Sequence, residues 1–150
     1  MLAPIIMGSE SDKDHAAKIE KELDKYGVEY EEHVVSAHKV PEKVLELVQK
    51  YNNSDEAICY ITIAGRSNGL SGVVAANSVH PVIACPPFKS KEDCLLNMHS
   101  TLQMPSQTPV LMILDPGNAA LAAARILSLT DQELKTKMSE QIKETKEKFD

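Results

Sequence analysis

The stretch Ala57-Ile58-Cys59-Tyr60-Ile61-Thr62-Ile63-Ala64 decides the fold, because it is the clearest strand in the sequence. It is short, almost entirely apolar and rich in the β-branched and aromatic side chains that favour an extended backbone. The glycine-rich segment Gly65 to Gly72 follows it at once and predicts a loop. A buried strand that runs directly into such a loop is typical of α/β proteins.

Similar apolar runs recur on both sides of this strand. Leu2 to Met7 indicates a strand with both faces buried, and further strands are predicted at 28–35, 81–85 and 109–114. Helices are predicted at 12 to about 26, from Pro41 onward, near 73–78, at 91–102, at 117–128 and at 131 to about 148. Strands that alternate with helices predict βαβ units and a mainly parallel sheet covered on both sides.

The composition excludes several classes of protein. A chain of 150 residues suits a single domain, 1–150, and a net charge of -6 with no Trp opposes a nucleic-acid-binding surface. No apolar run reaches the ~20 residues of a membrane span, and the N-terminus lacks the basic flank of a signal peptide. The odd set Cys59, Cys85 and Cys94 contains no CxxC pair, so we expect reduced thiols and a cytoplasmic protein.

The position of a ligand follows from the predicted parallel sheet. In such sheets ligands bind outside the carboxyl ends of the strands. Those ends are the segments 8–12, 36–41, 65–72 and 85–90, and the first three also hold the unusual polar residues of the chain. Apart from the histidine in the segment 36–41, the histidines lie at positions 15, 33, 80 and 99. None of them pairs with another at a metal-ligand spacing, so no metal site is predicted.

The first loop resembles a phosphate cradle. Gly8 lets the backbone turn, Ser9 and Ser11 supply hydroxyls, and the N-terminus of a helix follows at Asp12 with its free N–H groups. It is not a P-loop, because no GK pair followed by Ser or Thr is present. The alternative is that Ser11 or Asp12 only caps the helix.

The second loop, Ser36-Ala37-His38-Lys39, follows the strand 28–35, which we expect to be buried. A histidine at that place can transfer protons near neutral pH, and Lys39 can pair with a phosphate or carboxylate. The alternative is a surface loop without chemistry.

The third loop contains Gly65, Arg66, Ser67, Asn68 and Gly69. Glycine at this density predicts a tight turn or a close backbone approach to a ligand. The arginine offers a planar fork for a carboxylate, and the serine and asparagine can bond a small neutral group. The alternative is a turn followed by a helix cap.

The loops together resemble those of the PurE family of purine biosynthesis. The segment 7–12, MGSESD, is similar to the MGSxSD nucleotide loop of that family, and 34–39, VVSAHK, is similar to its VSAH loop. The Gln103-Met104-Pro105 segment and the Ala-rich helix at 118–127 also resemble the family. The resemblance covers about residues 2–129.

The third loop separates the two branches of this family. The mutases that use N5-carboxyaminoimidazole ribonucleotide carry GGAAHLPG there, with a second histidine that this chain lacks. The AGRSNGL sequence at 64–70, together with Lys39, is similar to the branch that carboxylates 5-aminoimidazole ribonucleotide (AIR) with CO2. The resemblance implies this second activity, with the mutase and a non-catalytic mononucleotide-binding module as alternatives.

The resemblance also implies a fold and a division of roles. It implies a three-layer αβα sandwich with a flavodoxin-like or Rossmann-like sheet, and a homo-oligomer, commonly an octamer, with active sites between subunits. The Ala-rich helix and the C-terminal helix at about 130–150 are expected to take part in that assembly. His38 is the implied proton carrier, and no metal or other cofactor is expected.

The remaining implied roles divide between two parts of the substrate. The residues implied to hold the nucleotide are Gly8, Ser9, Ser11, Asp12, Ser36 and Lys39. The residues implied to hold CO2 or the new carboxylate are Gly65, Arg66, Ser67, Asn68 and Gly69.

Overall fold

The computed structural model describes residues 1–149 and contains one five-stranded parallel sheet. The strands are β1 (Leu2–Met7), β2 (Glu29–Val34), β3 (Tyr60–Ile63), β4 (Val82–Ala84) and β5 (Leu111–Met112). Their order in the sheet is β2-β1-β3-β4-β5, and every neighbouring pair is parallel. This is the flavodoxin-like order, so the prediction of a parallel α/β sheet is confirmed.

Six α-helices connect or follow the strands within the described residues. They are α1 (Lys13–Tyr26), α2 (Pro41–Asn52), α3 (Gly69–Asn77), α4 (Lys91–Leu102), α5 (Pro116–Leu127) and α6 (Gln132–Glu147). A single turn of 3-10 helix, Glu10–Asp12, precedes α1. Within residues 1–149, no helix combines the length and the apolar character that crossing a membrane requires.

The helices cover both faces of the sheet and form two separate apolar cores. On one face Ile5 and Met7 of β1 pack with α1, α5 and the start of α6. On the other face Leu2 and Ile6 pack with α2 and α3. Because successive side chains of a strand point to opposite faces, a strand buried on both sides must be apolar throughout, as β1 is. The three-layer arrangement is therefore confirmed.

The edge strand β2 differs from the expectation of a buried strand. It pairs only with β1, and its residues are exposed or half-buried along their whole length. Its sequence EYEEHV is correspondingly polar. The expectation was wrong because the neighbouring Val28 and Val35, which are buried, lie outside the strand itself.

Two boundaries also differ from the sequence-based expectation. Helix α3 begins at Gly69 and not near Val73, because the Asn68 side chain caps it by accepting a hydrogen bond from the Ser71 backbone N–H. The last strand, predicted at 109–114, is confined to two residues. The first of the predicted residues is Pro109, which has no N–H to donate to a neighbouring strand.

The Ala-rich helix packs inside its own chain. Ala119, Ala120, Ala123 and Ala124 are fully buried, and α5 contacts α1 more extensively than any other helix. Small side chains allow this close approach of two helices. Their burial against α1 explains the alanines without a partner subunit, and a role of α5 in assembly stays a prediction.

Candidate active site

Three of the loops predicted to bind substrate begin side by side at the carboxyl edge of the sheet. The Gly8 backbone N–H donates to the Ile63 carbonyl at 2.9 Å, and the Val35 N–H donates to the Met7 carbonyl at 2.8 Å. These bonds continue the strand ladders into the loops. They place the first and third loops at the point between β1 and β3 where the strand order reverses, which is where ligands of such sheets bind.

The first loop is bonded mainly to itself. The Ser9 side chain caps the 3-10 turn by accepting from the Ser11 backbone N–H at 3.3 Å, and the two hydroxyls lie 3.0 Å apart. Both serines are exposed, whereas Asp12 is buried. Burial raises the pKa of the Asp12 carboxyl above its usual value, and a hydrogen bond from the Ser9 backbone opposes part of that rise. Two exposed hydroxyls and one buried carboxyl can together bond a phosphorylated sugar.

The second loop is a tight turn that displays its side chains to solvent. The Ser36 carbonyl accepts from the backbone N–H groups of Lys39 at 3.2 Å and Val40 at 2.9 Å. His38 and Lys39 are exposed, and Ser36 is half-buried. The turn therefore leaves the imidazole and the ammonium free to reach a ligand.

The second and third loops meet at His38 and Gly69. A Cβ atom built on Gly69 would lie 2.8 Å from His38 Nε2 and 2.9 Å from its Cε1. The imidazole thus occupies the space that a side chain at position 69 would need. The predicted proton carrier and the predicted carboxylate loop are adjacent, as a shared reaction centre requires.

The third loop is held by a helix that the sequence did not implicate. The Arg66 N–H donates to Asn97 Oδ1 at 2.6 Å, and the Asn68 N–H donates to Ser100 Oγ at 2.8 Å. The Asn68 carboxamide also donates to Thr101 Oγ1 at 2.9 Å. The signal in the sequence was a polar stripe at positions 97, 100 and 101 of α4, where an apolar face is the norm.

These contacts divide the residues predicted to bind a carboxylate. The Arg66 and Ser67 side chains are exposed, and Gly65 is half-buried beside Asn97. Asn68 is only 5% exposed, with its carboxamide engaged by α3 and α4. The exposed residues remain available to a ligand, whereas Asn68 maintains the shape of the loop.

A cavity of about 470 Å³ adjoins the first two loops. The cavity is lined by Gly8, Ser36 and Lys43 of α2, and β2 and α2 form most of the rest of its wall. A second cavity of about 490 Å³ lies between Phe88 and Leu95 and contains none of the predicted site residues. Of these two cavities, the one of about 470 Å³ is therefore the one lined by predicted site residues, Gly8 and Ser36.

A thiol and a second histidine also meet near this edge, at Cys85 and His15. Cys85, which follows β4, lies with its Sγ 3.3 Å from His15 Nε2. Burial raises the pKa of the Cys85 thiol to about 12, so it stays protonated and is a poor nucleophile. Among residues 1–149, no group of three or more His, Cys, Asp or Glu side chains is arranged to hold a metal ion.

Comparison with known proteins gives consistent matches over nearly the whole chain. The family model of AIR carboxylase matches residues 2–148. A phosphoribosylaminoimidazole carboxylase of Archaeoglobus fulgidus is 44% identical and covers 92% of this chain and 75% of its own length. One of Treponema denticola is 47% identical and covers 89% of this chain and 83% of its own.

A solved structure matches equally well. The crystal structure of Treponema denticola PurE superposes with a TM-score of 0.91 at 42% identity, over 99% of this chain and 93% of that one. The resemblance drawn from the loop motifs is thereby confirmed. This chain belongs to the AIR carboxylase family, that is, the PurE family.

Proposed function

We propose that this chain carboxylates AIR with CO2 to give 4-carboxy-5-aminoimidazole ribonucleotide in purine biosynthesis. The observation that carries the proposal is the contact of His38 with Gly69, which joins a proton carrier to the third loop. Relatives named phosphoribosylaminoimidazole carboxylase support the carboxylase over the mutase. The AGRSNGL sequence of the third loop supports the same choice.

In this proposal the first two loops hold the nucleotide. The hydroxyls of Ser9 and Ser11 and the backbone at Gly8 surround the phosphoribosyl group, and Asp12 accepts a bond from a sugar hydroxyl. Ser36 contributes a further hydroxyl, and Lys39 supplies a positive charge to the phosphate. Exposed hydroxyls and a free ammonium at adjoining strand ends support this role.

The chemistry needs one new bond and the removal of one proton. The aminoimidazole is an enamine, so its C4 carries a nucleophilic electron pair that attacks the carbon of CO2. One C–O π pair becomes the carboxylate charge, which Gly65, Arg66, Ser67 and Gly69 stabilise. His38 then accepts the C4 proton, and the C–H electrons restore the aromatic ring. Holding CO2 beside C4 can contribute up to ~7–11 kcal/mol of the rate enhancement.

The proposal extends to cofactors, location and assembly. We propose that the reaction uses neither a metal nor an organic cofactor, since C4 is already nucleophilic. We also propose a cytoplasmic homo-oligomer, an octamer with active sites between subunits. Leu95, Leu96 and Leu102 of α4 are exposed, which supports a subunit interface.

The substrate assay tests the proposal most directly. Purified protein is given AIR with and without bicarbonate, and separately the N5-carboxy nucleotide, while the absorbance of the carboxylated product is followed. We expect a product only from AIR, and in proportion to dissolved CO2. Turnover of the N5-carboxy nucleotide alone would establish the mutase, and nucleotide binding without turnover would establish the binding module.

Replacement of His38 tests the assignment of the proton carrier. We expect His38→Asn to lower kcat by roughly 10²–10⁴-fold, because general acid–base catalysis contributes about that much. The nucleotide Kd should change little, since the phosphate and ribose contacts come from other residues. Calorimetry and the absorbance assay measure the two effects, and near wild-type turnover would contradict the assignment.

A further inference from the structure

Helix α4 presents a buried polar face to the third loop. Asn97, Ser100 and Thr101 lie three and four residues apart, on one side of the helix. Asn97 and Thr101 are each 2% exposed, whereas Leu95 and Leu96 on the same helix are largely exposed. This is the reverse of an ordinary surface helix, which buries its apolar side chains. We call these three polar residues the α4 clamp.

The α4 clamp supplies hydrogen-bond acceptors to three donor groups of the third loop. Its three side chains accept hydrogen bonds from the Arg66 N–H, the Asn68 N–H and the Asn68 carboxamide. The clamp is also fixed internally, since the Thr101 hydroxyl donates to the Asn97 carbonyl at 2.8 Å. Asn97 Nδ2 donates to the Pro87 carbonyl at 2.7 Å, which connects the clamp to the segment 85–90 after β4.

The loop segment held in this way has an unfavourable backbone conformation. Arg66 has a φ of 60°, in the left-handed region that residues with a Cβ rarely adopt. Such a conformation persists only where the surroundings enforce it, and it occurs often at ligand sites. The Arg66 N–H donates to Asn97 Oδ1, so the residue with this conformation is bonded directly to α4.

We propose that the α4 clamp is a positioning element for the carboxylation and that its residues act through the third loop. It sets the direction of the Arg66 side chain and the position of Gly69, against which the His38 imidazole rests. A displacement of about 1 Å in such a site can cost about 10²-fold in rate. The inference rests on the proposed function, because it concerns the CO2 side of that reaction.

Thr101 gives a matched pair of variants. Thr101→Val keeps the size of the side chain and removes the hydroxyl that accepts from Asn68, whereas Thr101→Ser keeps the hydroxyl and removes a methyl group. We expect Thr101→Val to raise KM for CO2 about tenfold, with the nucleotide KM nearly unchanged. Thr101→Ser should remain close to the wild type in both constants. Ser100→Ala, at a half-buried position, provides a second variant if Thr101→Val does not fold.

Amide hydrogen exchange of the full chain supplies a readout that is independent of turnover. The Arg66 and Asn68 amides should exchange faster in Thr101→Val or Ser100→Ala than in the wild type, and at the wild-type rate in Thr101→Ser. Equal exchange in all variants overturns the clamp. Faster exchange with unchanged CO2 dependence overturns its role in positioning. A wild-type chain that exchanges as expected but does not carboxylate AIR overturns the proposed function and the kinetic role together, and leaves the structural clamp established.

Discussion

The first and third loops leave neighbouring strands at the same edge of the sheet, yet they are built differently. The first loop bonds to itself through Ser9 and Ser11, and its hydroxyls face solvent. The third loop bonds to a helix about 30 residues later in the chain, through donors at Arg66 and Asn68. The first loop is therefore held by hydrogen bonds within itself and is exposed to solvent, whereas the third loop is fixed by tertiary contacts.

The glycines of the two loops show the same contrast. A Cβ on Gly8 would find ordinary contacts, with the nearest atoms at 3.7 Å, whereas one on Gly69 would lie 2.8 Å from His38 Nε2. A phosphate is large, charged and recognised by several donors, so its loop can adjust around it. CO2 is small and uncharged, and it offers few contacts. A CO2 site must therefore be formed before CO2 binds, and a loop held rigid by tertiary contacts meets that requirement.

Among the substitutions that test this contrast, the largest effect should come from disturbing the contact between the second and third loops. Gly69→Ala places a methyl group where the imidazole lies, so His38 must move by about 1 Å, and we expect kcat/KM to fall about 10²-fold. Folding stability should stay within about 1 kcal/mol of the wild type, because His38 is exposed and can move aside and because Gly69 does not have a left-handed φ that would strain an alanine. Kinetics and urea unfolding measure both.

Gly8→Ala is the matched control for this substitution in the first loop. It has space for the methyl group within the protein, so kcat at saturating nucleotide should stay within a few-fold of wild type and stability within about 1 kcal/mol. If Gly69→Ala were as active as Gly8→Ala, the contrast between an adjustable and a preformed loop would be lost.

A smaller effect is expected where the third loop packs against the α4 clamp. A Cβ on Gly65 would lie 3.3 Å from Asn97 Nδ2, so the clamp must yield slightly. We expect Gly65→Ala to destabilise the fold by about 1 kcal/mol, at the low end of overpacking penalties, relative to Gly8→Ala. Urea unfolding of both variants measures the difference. If Gly65→Ala were as stable as Gly8→Ala or more stable, the Asn97 side chain would be shown to move aside without a cost in stability.

The smallest effect is expected at the open edge beside the first loop, where α1 meets β2. Burial and the neighbouring Glu32 raise the pKa of the Glu20 carboxyl from 4.5 to about 7. The folded state therefore holds a proton that the unfolded state releases, and the stability this proton contributes is lost as pH rises from about 4.5 through 7. Glu20→Gln is neutral at every pH and avoids this loss.

The comparison of wild type and Glu20→Gln isolates this carboxyl from other titrating groups. The gain of the variant should increase between about pH 4.5 and about pH 8 and stay below about 1 kcal/mol, because solvent screens the pair. Thermal unfolding across that range measures it, with exposed Glu46→Gln as the control for a lost charge. A gain that is independent of pH would show that the two carboxyls do not share a proton.

Much of the fold could be read from local patterns. The apolar runs of β1 and β3 and the periodic faces of α1 and α2 marked those elements, and Gly27 marked the end of α1 with its φ of 68°. The start of α3 was placed too late because a cap at Asn68 is a contact of one side chain and leaves no periodic signal. The edge position of β2 depends on strand order, which no single segment encodes.

The site was predictable in part for the same reason. The residues of the first and second loops stand next to strands, and the rule for parallel sheets places them at one edge. The α4 clamp was not predicted, because a polar stripe on a helix is equally typical of a solvent-exposed face. Only the packing of α4 against the third loop distinguishes the two cases.

The sequence by itself determined the class of fold, the family and the side chains able to do the chemistry, since hydrophobic patterns and short motifs are local properties of the chain. The tertiary structure alone decided which of those side chains meet. In the folded chain the His38 imidazole lies against Gly69, and Asn68 is buried. Asn97 and Thr101, from a helix about 30 residues later, accept hydrogen bonds from the third loop. The physical reason is that buried hydrogen-bond donors must find acceptors wherever the packed chain supplies them, and that choice is made only when the whole core has formed.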